Sequence, residues 1–109
     1  GFYSNDFANQ GGDPKDLDAC SGKYKVTYPE FEIGPVKGAN ARPVFQWLQQ
    51  QSNHAPHNKS EPNWNFNKYL ISRSGELVGH WPSGTYPGDN PDDPQDGLIA
   101  KAIGAELAK

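Results

Sequence analysis

The chain has 109 residues, which is enough for one domain with a single modest core. Its 13 acidic and 10 basic residues leave a net charge of -3 without a basic stripe, so the electrostatic footprint of a nucleic-acid-binding protein is missing. A single Cys excludes an internal disulfide framework, and an aromatic content of 12% indicates a folded chain.

The start of the chain reads as a loop. Residues 1–12 are rich in Gly, Asn and Asp, and the chain contains no Met. We therefore expect a strand upstream of residue 1. Apolar runs are too short for a transmembrane helix or the core of a signal peptide. The default expectation is a cytoplasmic location, with a secreted or periplasmic location left open.

The next segment predicts a short helix over residues 14–21. Asp13 suits the N-cap, Pro14 suits the first helical position, and Gly22 is the predicted stop. The following stretch, "VTYPEFEI", contains strand-forming residues interrupted by Pro29. It is therefore predicted to be an extended edge segment rather than a central strand.

A second helix is predicted in "NARPVFQWLQQQ". Asn40 is the predicted cap and Pro43 falls in the first turn. Helical spacing i, i+3, i+4, i+7 relates Val44, Trp47, Leu48 and Gln51.

Further on, "WNFNKYLISRSGELVGHW" predicts a hairpin of two extended runs joined by a Ser-Gly turn. Trp64 and Asn65 would stand at the head of its first strand. The strand would be covered on both sides, with Phe66 and Leu70 on one face and Tyr69 and Ile71 on the other.

The chain closes on a predicted helix capped by Asp96. Its apolar stripe comprises Leu98, Ile99, Ala102, Ile103 and Leu107. The order of elements predicts an α/β fold in which helices flank a small sheet, within one domain over residues 1–109.

No cofactor or metal site is predicted. His54 and His57 have the spacing of metal ligands, but they lie in a Pro/Asn loop with His80 as the only other His. The stretch "DNPDDPQDG" lacks EF-hand spacing. "NKS" at residues 58–60 would be a glycosylation acceptor only in a secreted protein.

Four stretches together resemble the glutathione peroxidase family, which has a thioredoxin-like fold. They are "GFYSNDFANQ", "CSGKYKVTYPEFEI", "VKGANARPVFQWL" and "WNFNKYLISRSGELV", in the family's order and spacing. The resemblance implies an N-terminally incomplete family domain, three-layered, with helices flanking a small mixed sheet. It covers roughly the last two-thirds of such a domain, without the unit that holds the peroxidatic Cys or selenocysteine.

The resemblance assigns catalytic roles to three residues of the family's tetrad. The family's Gly-Phe-Pro-Cys-Asn-Gln-Phe-Gly-x-Gln motif is matched at Asn5, Phe7 and Gln10, and its final Gln is a tetrad member. Trp-Asn-Phe-x-Lys-Phe-Leu supplies two more members, at Trp64 and Asn65. Asn5 would be a supporting residue. Departures from the first motif are Tyr3, Ser4, Asp6 and Ala8.

Cys20 resembles the resolving cysteine of thioredoxin-dependent members, whose pattern is Phe-Cys-x3-Tyr-x2-Thr-Phe. The matching positions are Ala19, Cys20, Tyr24, Thr27 and Tyr28. The family's Gly-x-Asn-Ala-His-Pro-Leu-Phe is matched over residues 38–45, with Arg42 in place of the His.

The resemblance implies reduction of a hydroperoxide substrate with glutathione or thioredoxin as the reductant, in the response to oxidative stress. Neutral indole and carboxamide donors can stabilise a thiolate or selenolate without neutralising it, which gives Gln10, Trp64 and Asn65 a physical reason to converge. The oligomeric state stays open, with a homo-oligomer among the options.

Other interpretations of the same residues stay open. A Trp at a strand start is often a core or rim anchor, a lone Cys is often a small buried hydrophobe, and Gln10 could be an ordinary loop residue. The chain could also be a non-catalytic remnant or interaction module that lacks the nucleophile. A third hypothesis uses the Trp and Tyr residues as a sugar-binding platform.

Overall fold

A computed structural model describes residues 1–51, 61–88, 92 and 97–109 of the chain. Among them are three helices and two strands: α1 (Pro14–Tyr24), α2 (Pro43–Gln50), β1 (Lys68–Ile71), β2 (Leu77–Trp81) and α3 (Leu98–Leu107). The chain divides into two compact units, Gly1–Gln46 and Trp47–Lys109. No helix in the described ranges is long and apolar enough to cross a membrane.

The first unit is built around a short parallel contact between two extended segments. Phe2 and Phe31 form an isolated parallel bridge, and the Phe31 N–H donates to the Gly1 carbonyl at 2.9 Å. The two phenyl rings stack with centroids 4.5 Å apart, and the Phe2 ring meets Phe45 edge-on at 5.4 Å. The prediction of an extended segment around Pro29 is therefore confirmed.

Helix α1 begins as predicted but ends later. The Asp13 side chain accepts from the Lys15 N–H, and Pro14 opens the helix. The stop at Gly22 is wrong, because the helix continues to Tyr24 and Lys25 adopts the left-handed conformation at φ 53°. The N–H groups of Lys25 and Val26 then satisfy the carbonyls of Gly22 and Ser21, in the pattern of a Schellman motif.

Helix α2 starts at Pro43, which confirms the predicted first turn. Asn40 is not the N-cap, because Arg42 directly precedes the helix and its carbonyl accepts from the N–H groups of Phe45 and Gln46. The Arg42 guanidinium donates to the Glu32 carbonyl at 2.6 Å and lies directly over Gly34, where a Cβ atom would collide with it. The residue that departs from the family pattern is thus a packing anchor.

The second unit contains the predicted hairpin. Strands β1 and β2 pair antiparallel, with Tyr69 opposite His80, and the turn closes through a Ser72 N–H to Glu76 carbonyl bond of 2.8 Å. Gly75 in the turn has φ +84°, a conformation that favours Gly. Most of β2 is buried, because Leu77, Gly79, His80 and Trp81 have little exposed surface.

The start of β1 differs from the prediction. Trp64, Asn65 and Phe66 form a turn, and the strand begins only at Lys68. Phe66 has φ 55° and is 80% exposed, so the expected pairing of Phe66 with Leu70 on one strand face is wrong. A left-handed residue cannot continue an extended strand.

Helix α3 covers the predicted residues, but its apolar stripe is only partly buried. Ile99 is buried, whereas Leu98, Ile103 and Leu107 are exposed. The predicted cap Asp96 lies outside the described residues, and the N-cap position belongs to Gly97 in the left-handed conformation. His54, His57, the "NKS" stretch and most of "DNPDDPQDG" also lie outside the described residues.

Candidate active site

Asn5 organises the loop that carries Gln10. Its Oδ1 atom accepts from the Gly11 N–H at 2.9 Å, and its carbonyl accepts from the Asn9 N–H at 3.3 Å. Gly11 must be a Gly, because an added Cβ would lie 2.6 Å from Asn5 Oδ1 and 2.8 Å from the Ser4 carbonyl oxygen. Ala8 and Asn9 both adopt φ 54°, which turns the loop sharply. Gln10 is exposed at its end.

Asp6 fastens the same loop to a later segment of the first unit. Its Oδ2 atom accepts from the backbone N–H of Val36 at 2.7 Å and of Lys37 at 3.3 Å. The next residue, Phe7, is buried, and the Lys37 ammonium lies 5.0 Å from the centroid of the Phe7 ring. Sequence reasoning treated Asp6 only as a departure from the family pattern. A carboxylate suits two backbone donors, since it only accepts hydrogen bonds.

Cys20 lies on α1 and is exposed. The interpretation of this Cys as a small buried hydrophobe is therefore wrong. No residue of α1 is buried, and polar contacts help to hold the helix.

One of these contacts involves the neighbour of Cys20. Hydrogen bonds from Ser21 and Tyr3 to the exposed Glu30 side chain lower the Glu30 pKa. The hydrogen bond between Tyr3 and Glu30, together with burial and the negative charge of Glu30, raises the pKa of Tyr3 from 10.0 to about 12. The Ser21 hydroxyl thereby links α1 to the extended segment around Glu30.

Trp64 and Asn65 are neighbours on the turn that precedes β1. Trp64 is 47% exposed, so it is not a core anchor, and Asn65 is half-buried. The Asn67 Nδ2 group closes the turn by donating to the Trp64 carbonyl at 2.6 Å and to Asn63 Oδ1 at 3.2 Å. This turn therefore carries an indole and a carboxamide on adjacent residues.

Lys68 fixes the loop that follows β2. Its Nζ atom donates to the carbonyls of Thr85, Ser83 and Pro82 at 2.8, 3.3 and 3.4 Å. Partial burial lowers the pKa of Lys68. The start of β1 is therefore tied to the loop after β2 at the same, open end of the hairpin, where Lys68 pairs with Trp81.

The described structure thus brings together two pairs of predicted site residues. Asn5 and Gln10 share one loop of the first unit, and Trp64 and Asn65 share one turn of the second. Convergence of Gln10 with the Trp64–Asn65 pair stays a prediction, as do the catalytic roles of all these residues. Within the described ranges, no group of three His, Cys, Asp or Glu side chains could hold a metal ion.

No family model matches the chain, but curated proteins do. Over 95 residues it is 37% identical to the glutathione peroxidase homolog BsaA of Bacillus subtilis and 41% identical to that of Halalkalibacterium halodurans. Each match covers 85% of this chain and 59% of the relative. The glutathione peroxidase-like peroxiredoxin gpx1 of Schizosaccharomyces pombe is 34% identical over 89 residues.

The chain belongs to the glutathione peroxidase family.

A solved structure supports the same assignment and confirms the predicted thioredoxin-like α/β fold. The crystal structure of Trgpx in apo form matches 95% of this chain at 29% identity, with a TM-score of 0.57. The match covers 56% of the solved chain, and this glutathione peroxidase segment spans a little over half the length of the relatives named above.

Proposed function

We propose that the protein carrying this glutathione peroxidase segment reduces hydroperoxides at the expense of a thiol. The observation that carries the proposal is the turn before β1, in which the partly exposed Trp64 and the half-buried Asn65 are adjacent residues. The Gln10 loop, fixed by Asn5, would supply the third neutral donor.

The proposed chemistry needs a nucleophile that attacks one peroxide oxygen. A thiolate or selenolate from outside the residues described here forms a bond to that oxygen while the O–O bond breaks, and the leaving alkoxide takes up a proton as an alcohol. The product is a sulfenic or selenenic acid. Indole and carboxamide N–H groups stabilise the attacking anion and stay uncharged across physiological pH.

Cys20 is the proposed resolving thiol. Its thiolate would attack the sulfur or selenium of that acid and form a disulfide or selenenylsulfide, while the bond to oxygen breaks and the leaving hydroxide takes up a proton as water. An external dithiol would then reduce the new bond. Exposure of Cys20 on a helix without buried residues supports this role, because the thiol is accessible.

The first test is peroxide-dependent consumption of reduced thioredoxin or glutathione by the complete protein, compared with its Trp64→Phe variant. Loss of one preorganised donor is expected to lower kcat/KM for the hydroperoxide roughly 10²-fold. Trp47→Phe is the matched control, since it removes an indole from α2 and should leave turnover unchanged.

Equal turnover of the wild type and Trp64→Phe would contradict the role of Trp64. A wild type without turnover would contradict the peroxidase proposal as a whole. The non-catalytic interaction module would then be the better account of the chain.

A further inference from the structure

A buried histidine, His80, contacts the end of the turn that contains Trp64 and Asn65. His80 is 6% exposed, lies in β2 and pairs with Tyr69 of β1 across the hairpin. The Tyr69 and His80 rings stack with centroids 4.3 Å apart and planes at 11°. This packing fixes the plane of the imidazole.

The His80 Nε2 atom lies 2.7 Å from Asn67 Oδ1. Chemistry assigns the direction of this bond. The Trp64 carbonyl only accepts, so the Asn67 group that faces it at 2.6 Å must be the Nδ2 amide. The remaining Asn67 oxygen only accepts, so His80 must carry a proton on Nε2 and donate it.

The result is a directed chain of hydrogen bonds from His80 Nε2–H to Asn67 Oδ1, and from Asn67 Nδ2–H to the Trp64 carbonyl. It joins the buried centre of the hairpin to the turn. Phe66 in this turn holds a left-handed φ of 55°, a conformation that is strained for a bulky side chain. The turn therefore depends on an external constraint, and Asn67 supplies one.

We infer that His80 and Asn67 are positioning residues that set the direction of the Trp64 indole and the Asn65 carboxamide. Their proposed action is indirect, through the backbone of the turn. His80 holds Asn67 in one amide orientation, and Asn67 holds the carbonyl of Trp64, so both side chains of the donor pair project from a fixed backbone. The kinetic part of this inference rests on the proposed hydroperoxide reductase activity.

The test distinguishes the effect of the His80 N–H donor from the effect of the His80 ring that stacks on Tyr69. His80→Gln retains an N–H donor at a position close to Nε2 but lacks the ring, whereas His80→Phe retains the ring that stacks on Tyr69 and lacks the donor. Asn67→Asp provides a second approach, because it still accepts from His80 but cannot donate to the Trp64 carbonyl.

The first readout is the indole N–H resonance of Trp64 in the complete protein, assigned by its disappearance in Trp64→Phe. We expect it to move in His80→Phe and Asn67→Asp and to keep its wild-type position in His80→Gln. We expect kcat/KM for the hydroperoxide to fall about 10- to 100-fold in the two variants that break the chain, with rescue in His80→Gln, because small displacements of a catalytic group reduce rates by such factors.

Two results would overturn the inference. One is an unmoved Trp64 resonance in His80→Phe, and the other is an equal displacement in His80→Gln and His80→Phe, which would assign the effect to the ring. If His80→Phe does not fold, the Trp64 resonance is measured in Asn67→Asp instead. An unmoved resonance in that variant would overturn the inference. A wild type without peroxidase turnover refutes the proposed function alone, since the resonance still reports on the positioning of Trp64.

Discussion

Phe66 is the residue at which backbone conformation and side-chain type disagree most. Its ring is 80% exposed, so it gains little from burial, yet its φ of 55° is unfavourable for any residue with a Cβ atom. Such strained residues persist where the surroundings fix the backbone, and they concentrate at functional sites. The position beside Trp64 and Asn65 fits that pattern.

Replacing Phe66 with Gly should therefore stabilise the chain relative to Phe66→Ala. Both variants remove the exposed ring, but only Gly adopts the left-handed conformation without steric penalty, so the free energy of unfolding should differ by about 1 kcal/mol in favour of Gly. Denaturant unfolding of the two variants measures this difference. An Ala variant as stable as the Gly variant would show that the turn relaxes out of the left-handed conformation.

At the level of elements, hydrogen bonds help to attach α1, in which no residue is buried, to its unit. The bonds from Tyr3 and Ser21 to Glu30 join the helix to the extended segments on either side of it in sequence. The Glu30 carboxylate is exposed, so solvent screens its charge. The bond between Tyr3 and Glu30 is sensitive to the ionisation of the Tyr3 phenol.

Tyr3 provides a pH test of this attachment. Its pKa in the folded chain is raised from 10.0 to about 12, so the neutral phenol is favoured by folding. The stability from this bond is fully present below pH 10 and is lost as the pH rises towards 12. The difference in free energy of unfolding between the wild type and Tyr3→Phe should shrink over that interval.

A spectrophotometric titration of the phenols checks the same assignment. Burial, and the charge of Glu61 to a smaller extent, also raises the pKa of Tyr69, so two phenols should ionise late. Tyr3→Phe should remove one of these late steps and leave the step that belongs to Tyr69. Two late steps in Tyr3→Phe would contradict the bond to Glu30.

Local signals predicted the elements well where the determining residues were adjacent in sequence. Asp13 and Pro14 marked the start of α1, and the Ser-Gly turn marked the hairpin. The start of β1 was misplaced because the turn before it depends on Asn67 and its contact with His80, a partner in the other strand. Periodicity cannot report such a contact.

The candidate site was predictable in a different way. Gln10, Trp64 and Asn65 have no strong individual pattern, and only the resemblance singled them out. Asp6 and His80 were missed because their importance lies in backbone and cross-strand bonds that the sequence does not encode at any fixed spacing.

At the scale of the whole molecule, the proposed peroxidase activity makes the choice of reductant depend on whether Cys20 takes part in turnover. In the complete protein, Cys20→Ser should abolish thioredoxin-dependent turnover, because the disulfide that thioredoxin reduces cannot form. Glutathione can attack the oxidised nucleophile directly, so turnover with glutathione should persist. Ala19→Ser, a change at the adjacent exposed position, is the matched control and should retain both activities. Full thioredoxin-dependent turnover in Cys20→Ser would remove Cys20 from the mechanism.

The absence of buried residues from α1 has a consequence for local unfolding. An isolated helix of 11 residues is marginal in water, so little free energy separates the folded helix from an opened segment. Its backbone amides should exchange with solvent far faster than those of β2, whose side chains are mostly buried. The sulfur of Cys20 is thus carried on a helix that can change conformation without exposing a buried side chain of its own.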